Sequence, residues 1–412
     1  MLKGIFAKQN TSKYVINFNQ SRMHLKTWFF LLPAFKLAIT EKYPIIDRIF
    51  ILWAILALLL LVVVSAFHGK VEKKAVVYTL CLGMFCMIYA AMTKVYTPGA
   101  FLGSLSQSVR MLLFPFFLLA YRDIDYKQIL YCISAPWKII LLLDAISIFI
   151  DYDGKREYSL LGLDNTVIFV IIPLLTIILL NDYIKYGKFS TSSITVFGLC
   201  VIGKLYSHAV SACIALAVFI IAYYVVLNKK KSVLVPLAKR VLNPTIMFGF
   251  FVSFTALILL FNITPFFVKL FSIFGKNGTM TGRTRIWVLT ANSILKHPIL
   301  GYGQAAPVYF QNFVGLSIWD KAATHSHNFA LELLWSTGII GTFLYVYLII
   351  KAMKMLYKYR EFMEVKLLSC GFTAFSVLMI TDSYIMQPAF MTLCFLCLNI
   401  EKILIQKDTN GS

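Results

Sequence analysis

Residues 282–304 read GRTRIWVLTANSILKHPILGYGQ, and residues 325–341 read HSHNFALELLWSTGIIG. Apart from the N-terminal tail, the segment they bracket is the one long stretch that is not an apolar run of helical length. It holds three of the six histidines and two arginines close together. On either side the chain consists of apolar runs of about twenty residues, enough for a helix to cross a hydrocarbon layer roughly 30 Å thick. That contrast decides the fold expected: an all-α polytopic membrane protein, a single membrane domain over residues 1–412, with one large extracytoplasmic loop at 263–326.

Composition agrees. Of 412 residues, 59% are hydrophobic and 14% charged, with a mean hydropathy of +0.78. A soluble domain carries about a quarter charged residues. No cleavable signal pattern opens the sequence. Spans are expected at about 49–68, 75–93, 99–121, 127–150, 159–181, 190–206, 208–227, 244–262, 328–351, 366–384 and 386–404. The interrupted stretch 27–40, with Pro33 and Lys36, is either a tilted first span or a helix lying in the interface. The eight cysteines mostly fall inside apolar runs and read as small buried hydrophobes.

The net charge of +21 does not point to nucleic acid, which needs basic residues gathered on one accessible face. Here they mark segment boundaries. With the N-terminus inside and the first span counted, one set of loops carries roughly four times the lysine and arginine of the short loops on the other side. That is the positive-inside bias, and it places both termini in the cytoplasm and the long segment outside. The aromatic and apolar residues of that segment, from Trp287 to Trp319, argue that it folds back on the membrane domain rather than staying disordered.

The residues that could carry chemistry cluster there. From Arg283 to Lys296 nothing breaks a helix, and His297-Pro298 ends it. Arg283, Trp287, Ala291 and Ile294 share one stripe, while Arg285 aligns with Leu289, Asn292 and Lys296, so Arg283 is the arginine expected to turn inward. Gly301-Tyr302-Gly303 makes a tight turn without the following helix a dinucleotide loop needs. His325, Ser326, His327 and Asn328 open the next span. Histidine titrates near neutrality and can take a proton from a hydroxyl nucleophile. His325 and His327 could share a metal, but only Asp320 and Glu332 stand near them in sequence, so no metal is expected. Charged residues at membrane depth are functional candidates by default: Arg110, Lys138 and Asp144 (which could neutralise each other), Lys204 with His208, and Asp382. A cavity with Arg110, Lys204, His208 and Arg283 would suit a pyrophosphate.

The run from GRTRIW through KHPILGYG to HSHNFALELLWSTGIIG resembles the shared signature of the O-antigen polymerase and O-antigen ligase superfamily. The motif likeness covers about sixty residues, and the rest matches in topology. The resemblance implies a membrane-embedded, GT-C-like, metal-independent inverting glycosyltransferase of the bacterial plasma membrane, using no cofactor. Its substrate would be an undecaprenyl-pyrophosphate-linked oligosaccharide, with membrane lipids and a chain-length-regulating co-polymerase as partners. Carried over residue by residue, Arg283 would hold the pyrophosphate and His327 would activate the acceptor or position the donor. Arg285, His325 and Asn328 would contribute to substrate binding. The family's second arginine, usually in a Ser-Arg context, is absent from the corresponding Tyr206–Ala212 (YSHAVSA), leaving Arg110, Lys204 or His208 to replace it. Polymerase is the leading reading, ligase the alternative. A transporter is a third, disfavoured because no paired broken helices appear.

Overall fold

Backbone that crosses a hydrocarbon layer must satisfy its hydrogen bonds internally, which a helix does. The computed structural model of the protein describes residues 18–35, 43–67, 72–122, 125–150, 158–207, 210–227, 240, 242–261, 283–305, 307–314 and 325–405. They are almost wholly helical: α1 (Phe18–Leu31), α2 (Pro44–Phe67), α3 (Lys73–Tyr96), α4 (Phe101–Ala120), α5 (Tyr126–Ser147), α6 (Asp164–Tyr186), α7 (Thr191–Tyr206), α8 (Val210–Leu227) and α9 (Pro244–Phe261). There follow α10 (Arg283–Ile294), α11 (Pro307–Val314), α12 (Phe329–Lys358), α13 (Met363–Thr381), α14 (Pro388–Leu398) and α15 (Ile400–Ile405). An antiparallel pair, Tyr158–Ser159 with Gly162–Leu163, is the strand structure among the described residues.

Eight of these helices are long and apolar enough to cross a membrane, and the apolar parts of α7, α9 and α14 are shorter. Each of the eleven spans expected from residue 49 onward finds its helix, and the protein is an all-α, multi-pass membrane protein. Burial grades the bundle. α6 and α13 are enclosed on most sides, as suits helices apolar all round, whereas α2 turns most of its surface outward.

The first stretch is helical earlier than expected. α1 ends at Leu31, and Leu32–Ala34 form a 3-10 turn with Pro33 in it, because proline cannot donate to a continuing helix. His24 packs on Tyr131 near the start of α5, and Phe35 packs on Trp137, six residues further along it. The described part of the segment thus packs beside α5; residues 36–42 are outside the described set.

Helix ends sort onto two faces. At one face Lys402 pairs with Glu72 at 3.2 Å and Lys358 with Glu401 at 2.8 Å. The expected pairing of Lys138 with Asp144 does not form. Six residues apart on one helix, they point to different sides. Lys138 instead donates to Asp182 Oδ1 at 3.1 Å, and Asp144 Oδ1 accepts from the Leu161 amide at 2.8 Å. Cys394 and Cys397 have CxxC spacing, yet both lie wholly buried within α14.

Candidate active site

The polar segment is fastened to the opposite face by its backbone. α12 is interrupted at Gly338, whose φ of 59° and ψ of −163° only glycine adopts readily. In an unbroken helix the amides of Ile339 and Ile340 would donate to the carbonyls of Trp335 and Ser336. Residues 298–303 take over both ends of those bonds. Tyr302 and Gly303 donate to the Trp335 and Ser336 carbonyls, each at 2.8 Å, while Ile339 donates to the Pro298 carbonyl at 2.8 Å and Ile340 to that of Ile299 at 3.3 Å. The two amides and two carbonyls that the break would leave open are all paired, so it can persist. Gly301 and Gly303, both at positive φ, let the inserted strand lie against α12 on one side and Thr93 of α3 on the other. Tyr302 stacks on Trp335, and Tyr96 is hydrogen-bonded to His297 at 3.0 Å. The GYG and STGIIG pieces of the sequence are thus two halves of one backbone clasp.

The clasp holds α10 against α12. Trp287, Ile286 and Ile294 are buried, and Trp287 meets Phe254 of α9 edge-on. Arg285, Asn292 and Lys296 are exposed while Arg283 is half-buried, the orientation that the stripe spacing implies.

At the start of α12, Asn328 is the N-cap. Its Oδ1 accepts from the amides of Ala330 and Leu331, both at 3.1 Å, as capping residues do. Its Nδ2 donates to Thr255 of α9 at 3.4 Å. This fully buried side chain is occupied in capping α12 and tying it to α9. Glu332 has a related role: its Oε2 accepts from the Ser326 amide at 2.9 Å and the Ser326 hydroxyl at 2.8 Å. Between these fixed points His327 takes a left-handed conformation, φ 52°, the one non-glycine residue with positive φ among those described. Such conformations are sparsely populated and gather at functional sites.

The turn brings both histidines to Asp382, in the non-helical stretch after α13. His325 Nε2 lies 3.1 Å and His327 Nδ1 3.6 Å from Asp382 Oδ1, and the two rings are 4.0 Å apart. Their protonation differs. Burial opposes charge on His325, but the hydrogen bond to Asp382 and the charges of Glu332 and Asp382 outweigh it and raise its pKa. Burial dominates at His327 and, with the charges of His325 and Arg283, lowers its pKa despite Asp382. Burial would raise the Asp382 pKa, but the two histidines hold it well below the usual carboxylate range. Arg283 thus stands within electrostatic reach of both rings.

The signs give a window. A lowered carboxylate stabilises the fold above its ordinary pKa near 3.9, and loses that contribution as pH falls through the folded value. A raised histidine stabilises below about 6.5 and is lost as pH rises through its folded value. The His325–Asp382 pair therefore supports the fold most between about pH 4 and 6.5.

The donor atoms of His325, His327 and Asp382 lie within 4.8 Å of one another, close enough to invite a transition metal. A metal-bound imidazole must be neutral, so a cation here would compete with the His325–Asp382 hydrogen bond and with the nearby charge of Arg283.

Other expected contacts separate. Lys204, on α7, is fully buried and lies with Asp144 in electrostatic reach of Cys200, not in a cavity with Arg110. His208 lies outside the described residues. Arg110 lines a different cleft with Gln107 and Tyr384. Asp382 was legible in sequence as a lone charge at a span end, but nothing in the sequence tied it to the histidines 55 and 57 residues earlier.

Residues 195–346 match the model of a family described as O-antigen ligase, which bears out the resemblance to the polymerase and ligase superfamily. The chain is a multi-pass membrane protein in which the matched stretch runs across the clasp and the histidine turn. Two proteins named as candidate polysaccharide ligases are similar to it: one from Rickettsia conorii, 35% identical over 80 residues, and one from Rickettsia felis, 36% identical over 81 residues. Each match covers 18% of this chain, and the chain spans about a fifth, 20%, of each relative's length.

Proposed function

We propose that the protein is a polysaccharide polymerase that moves a glycan from an undecaprenyl-diphosphate-linked donor onto an acceptor sugar hydroxyl at the outer face of a bacterial plasma membrane. The observation that carries this reading is the meeting of two histidines on one carboxylate, His325 Nε2 at 3.1 Å and His327 Nδ1 at 3.6 Å from Asp382 Oδ1, with Arg283 in electrostatic reach and the histidine pKa values pushed in opposite directions. Groups driven apart in this way divide acid and base roles. Arg283 and protonated His325 gather the donor's diphosphate and stabilise its growing negative charge. Neutral His327 takes the proton of the acceptor hydroxyl. The acceptor oxygen bonds to the anomeric carbon as the bond from that carbon to the phosphate oxygen breaks, and the lipid diphosphate leaves with the electron pair. A single displacement inverts the anomeric centre. Nothing in these steps calls for a metal. The outward orientation is supported by the roughly four-to-one lysine and arginine bias between loops, and a chain-length-regulating co-polymerase is an expected partner.

Transfer to a separate acceptor, as in a ligase, is the second reading, favoured by the description of the matched family and the names of the relatives. Purified protein given only lipid-linked repeat units separates the two. A ladder of longer lipid-linked products is expected, and no extension without an added acceptor would refute the polymerase reading.

The pH dependence follows from the same site. Transfer should rise as His327 loses its proton, below pH 6.5, and fall as His325 loses its own, above pH 6.5. Asp382→Asn removes the charge that raises both values, so the alkaline limb of the rate profile should move toward acid. An alkaline limb unmoved in this variant would mean that His325 does not set it.

A further inference from the structure

His327 Nδ1 is buried and has no hydrogen-bond partner among the described residues. It lies 3.6 Å from Asp382 Oδ1, beyond the reach of a good hydrogen bond. A buried nitrogen left without a partner is costly, and the atoms around it show what would satisfy it. His325 Nε2 is 3.1 Å from the same oxygen, and the donor atoms of all three residues lie within 4.8 Å of one another. Zinc takes nitrogen and oxygen ligands at about 2.0–2.2 Å, which at the tetrahedral angle sets two ligand atoms about 3.4 Å apart. The separations of 3.1 and 3.6 Å bracket that value. Two edges of a coordination tetrahedron, meeting at Asp382, are therefore close to formed.

The donor set suits the zinc class, for which two imidazoles and one carboxylate, with a fourth position left to water, is a recurrent arrangement. Asp382 is 4% exposed, and its Oδ1 also accepts from the Ser383 amide at 2.8 Å, the kind of outer contact that fixes a ligating carboxylate. The His325 and His327 side chains each keep about a quarter of their surface open, 24% and 23%, which gives an ion a way in. Arg283, in electrostatic reach of both rings, opposes it. We propose that His325, His327 and Asp382 form a capture site for a zinc-class divalent ion, which blocks the site while it is bound. A neutral imidazole has one acceptor nitrogen. With the metal on His327 Nδ1 the ring proton stays on Nε2, and neither nitrogen can take the proton of an acceptor hydroxyl. His325, once ligated, cannot carry the proton that meets a diphosphate. The ion acts against transfer and takes no step in it. That consequence rests on the transferase reading, whereas the capture site does not.

Cobalt(II) reports the geometry, because the four-coordinate ion absorbs visible light far more strongly than the six-coordinate ion in water. The untagged full chain in detergent, at about pH 8 where ordinary histidines are neutral, should take up one cobalt with the four-coordinate spectrum. Zinc should displace it mole for mole, and magnesium should not. Asp382→Asn and His327→Gly should each lose the spectrum. Arg283→Gln should hold cobalt several-fold tighter, a gain that a folding defect cannot produce. In wild type, zinc buffered at a low free concentration should stop transfer, and a chelator should restore it. Absence of four-coordinate cobalt from wild type would overturn the site, as would a spectrum unchanged in both ligand variants. Zinc bound at the site with transfer undiminished would overturn the block. The spectrum needs no turnover, so the site can be refuted in an active transferase and upheld in a protein that proves to have another activity.

Discussion

Replacing His327 by alanine or by glycine is expected to lower transfer alike, by roughly 100-fold or more, the usual contribution of a positioned general base. The two variants should differ in stability. At φ 52° a residue with a Cβ carries about 1 kcal/mol or more of backbone strain that glycine escapes. His327→Gly should therefore be the more stable of the two by about 1 kcal/mol, although it lacks the same imidazole. Thermal denaturation and product formed per mole of folded protein measure both effects. Wild-type transfer in either variant would remove His327 from the chemistry, and an alanine variant more stable than the glycine one would contradict the strain. The comparison separates what the side chain does from what the backbone tolerates.

The second large effect is expected at Gly338, which touches no proposed substrate. A Cβ there would collide with the backbone of Ile299 and Leu300, and the φ/ψ pair is one that other residues reach only at a cost of about 1–3 kcal/mol. Gly338→Ala should cost at least about 3 kcal/mol once the collision is added. The loss should be felt first in the clasp, because Tyr302, Gly303, Ile339 and Ile340 depend on the break for their partners. Amide exchange should show those four amides losing protection before the amides of α6. Unchanged protection of those four amides would mean that the clasp is held by something other than the break at Gly338.

The bundle was legible in the sequence because each crossing is a local fact. A run such as Ile51–Ser65 declares its solvent by itself, and the inward turn of Arg283 follows from counting along one helix. Three features escaped for the converse reason. The break at Gly338 sits in an apolar run that reads as continuous helix, and its partners at 298–303 lie some forty residues upstream. The union of Asp382 with His325 and His327 is tertiary, made by α13 ending beside the start of α12. The resemblance marks Asn328 as a substrate contact beside His327, but its position before an apolar helix suits capping equally well, and its Oδ1 does cap α12. Lys204 is buried on α7, and the sequence does not reveal that it lies near Cys200 rather than in the cleft that Arg110 lines.

The central claim is that the Asp382-held histidines and Arg283 drive direct displacement of a lipid diphosphate. The most direct measurement is the stoichiometry of release by purified protein supplied with undecaprenyl-diphosphate-linked glycan in buffer containing a strong chelator. One undecaprenyl diphosphate should appear for each glycosidic bond formed, with the anomeric centre inverted and the rate unchanged by chelation. Release of the monophosphate, retention of configuration, or loss of transfer on chelation would each contradict it.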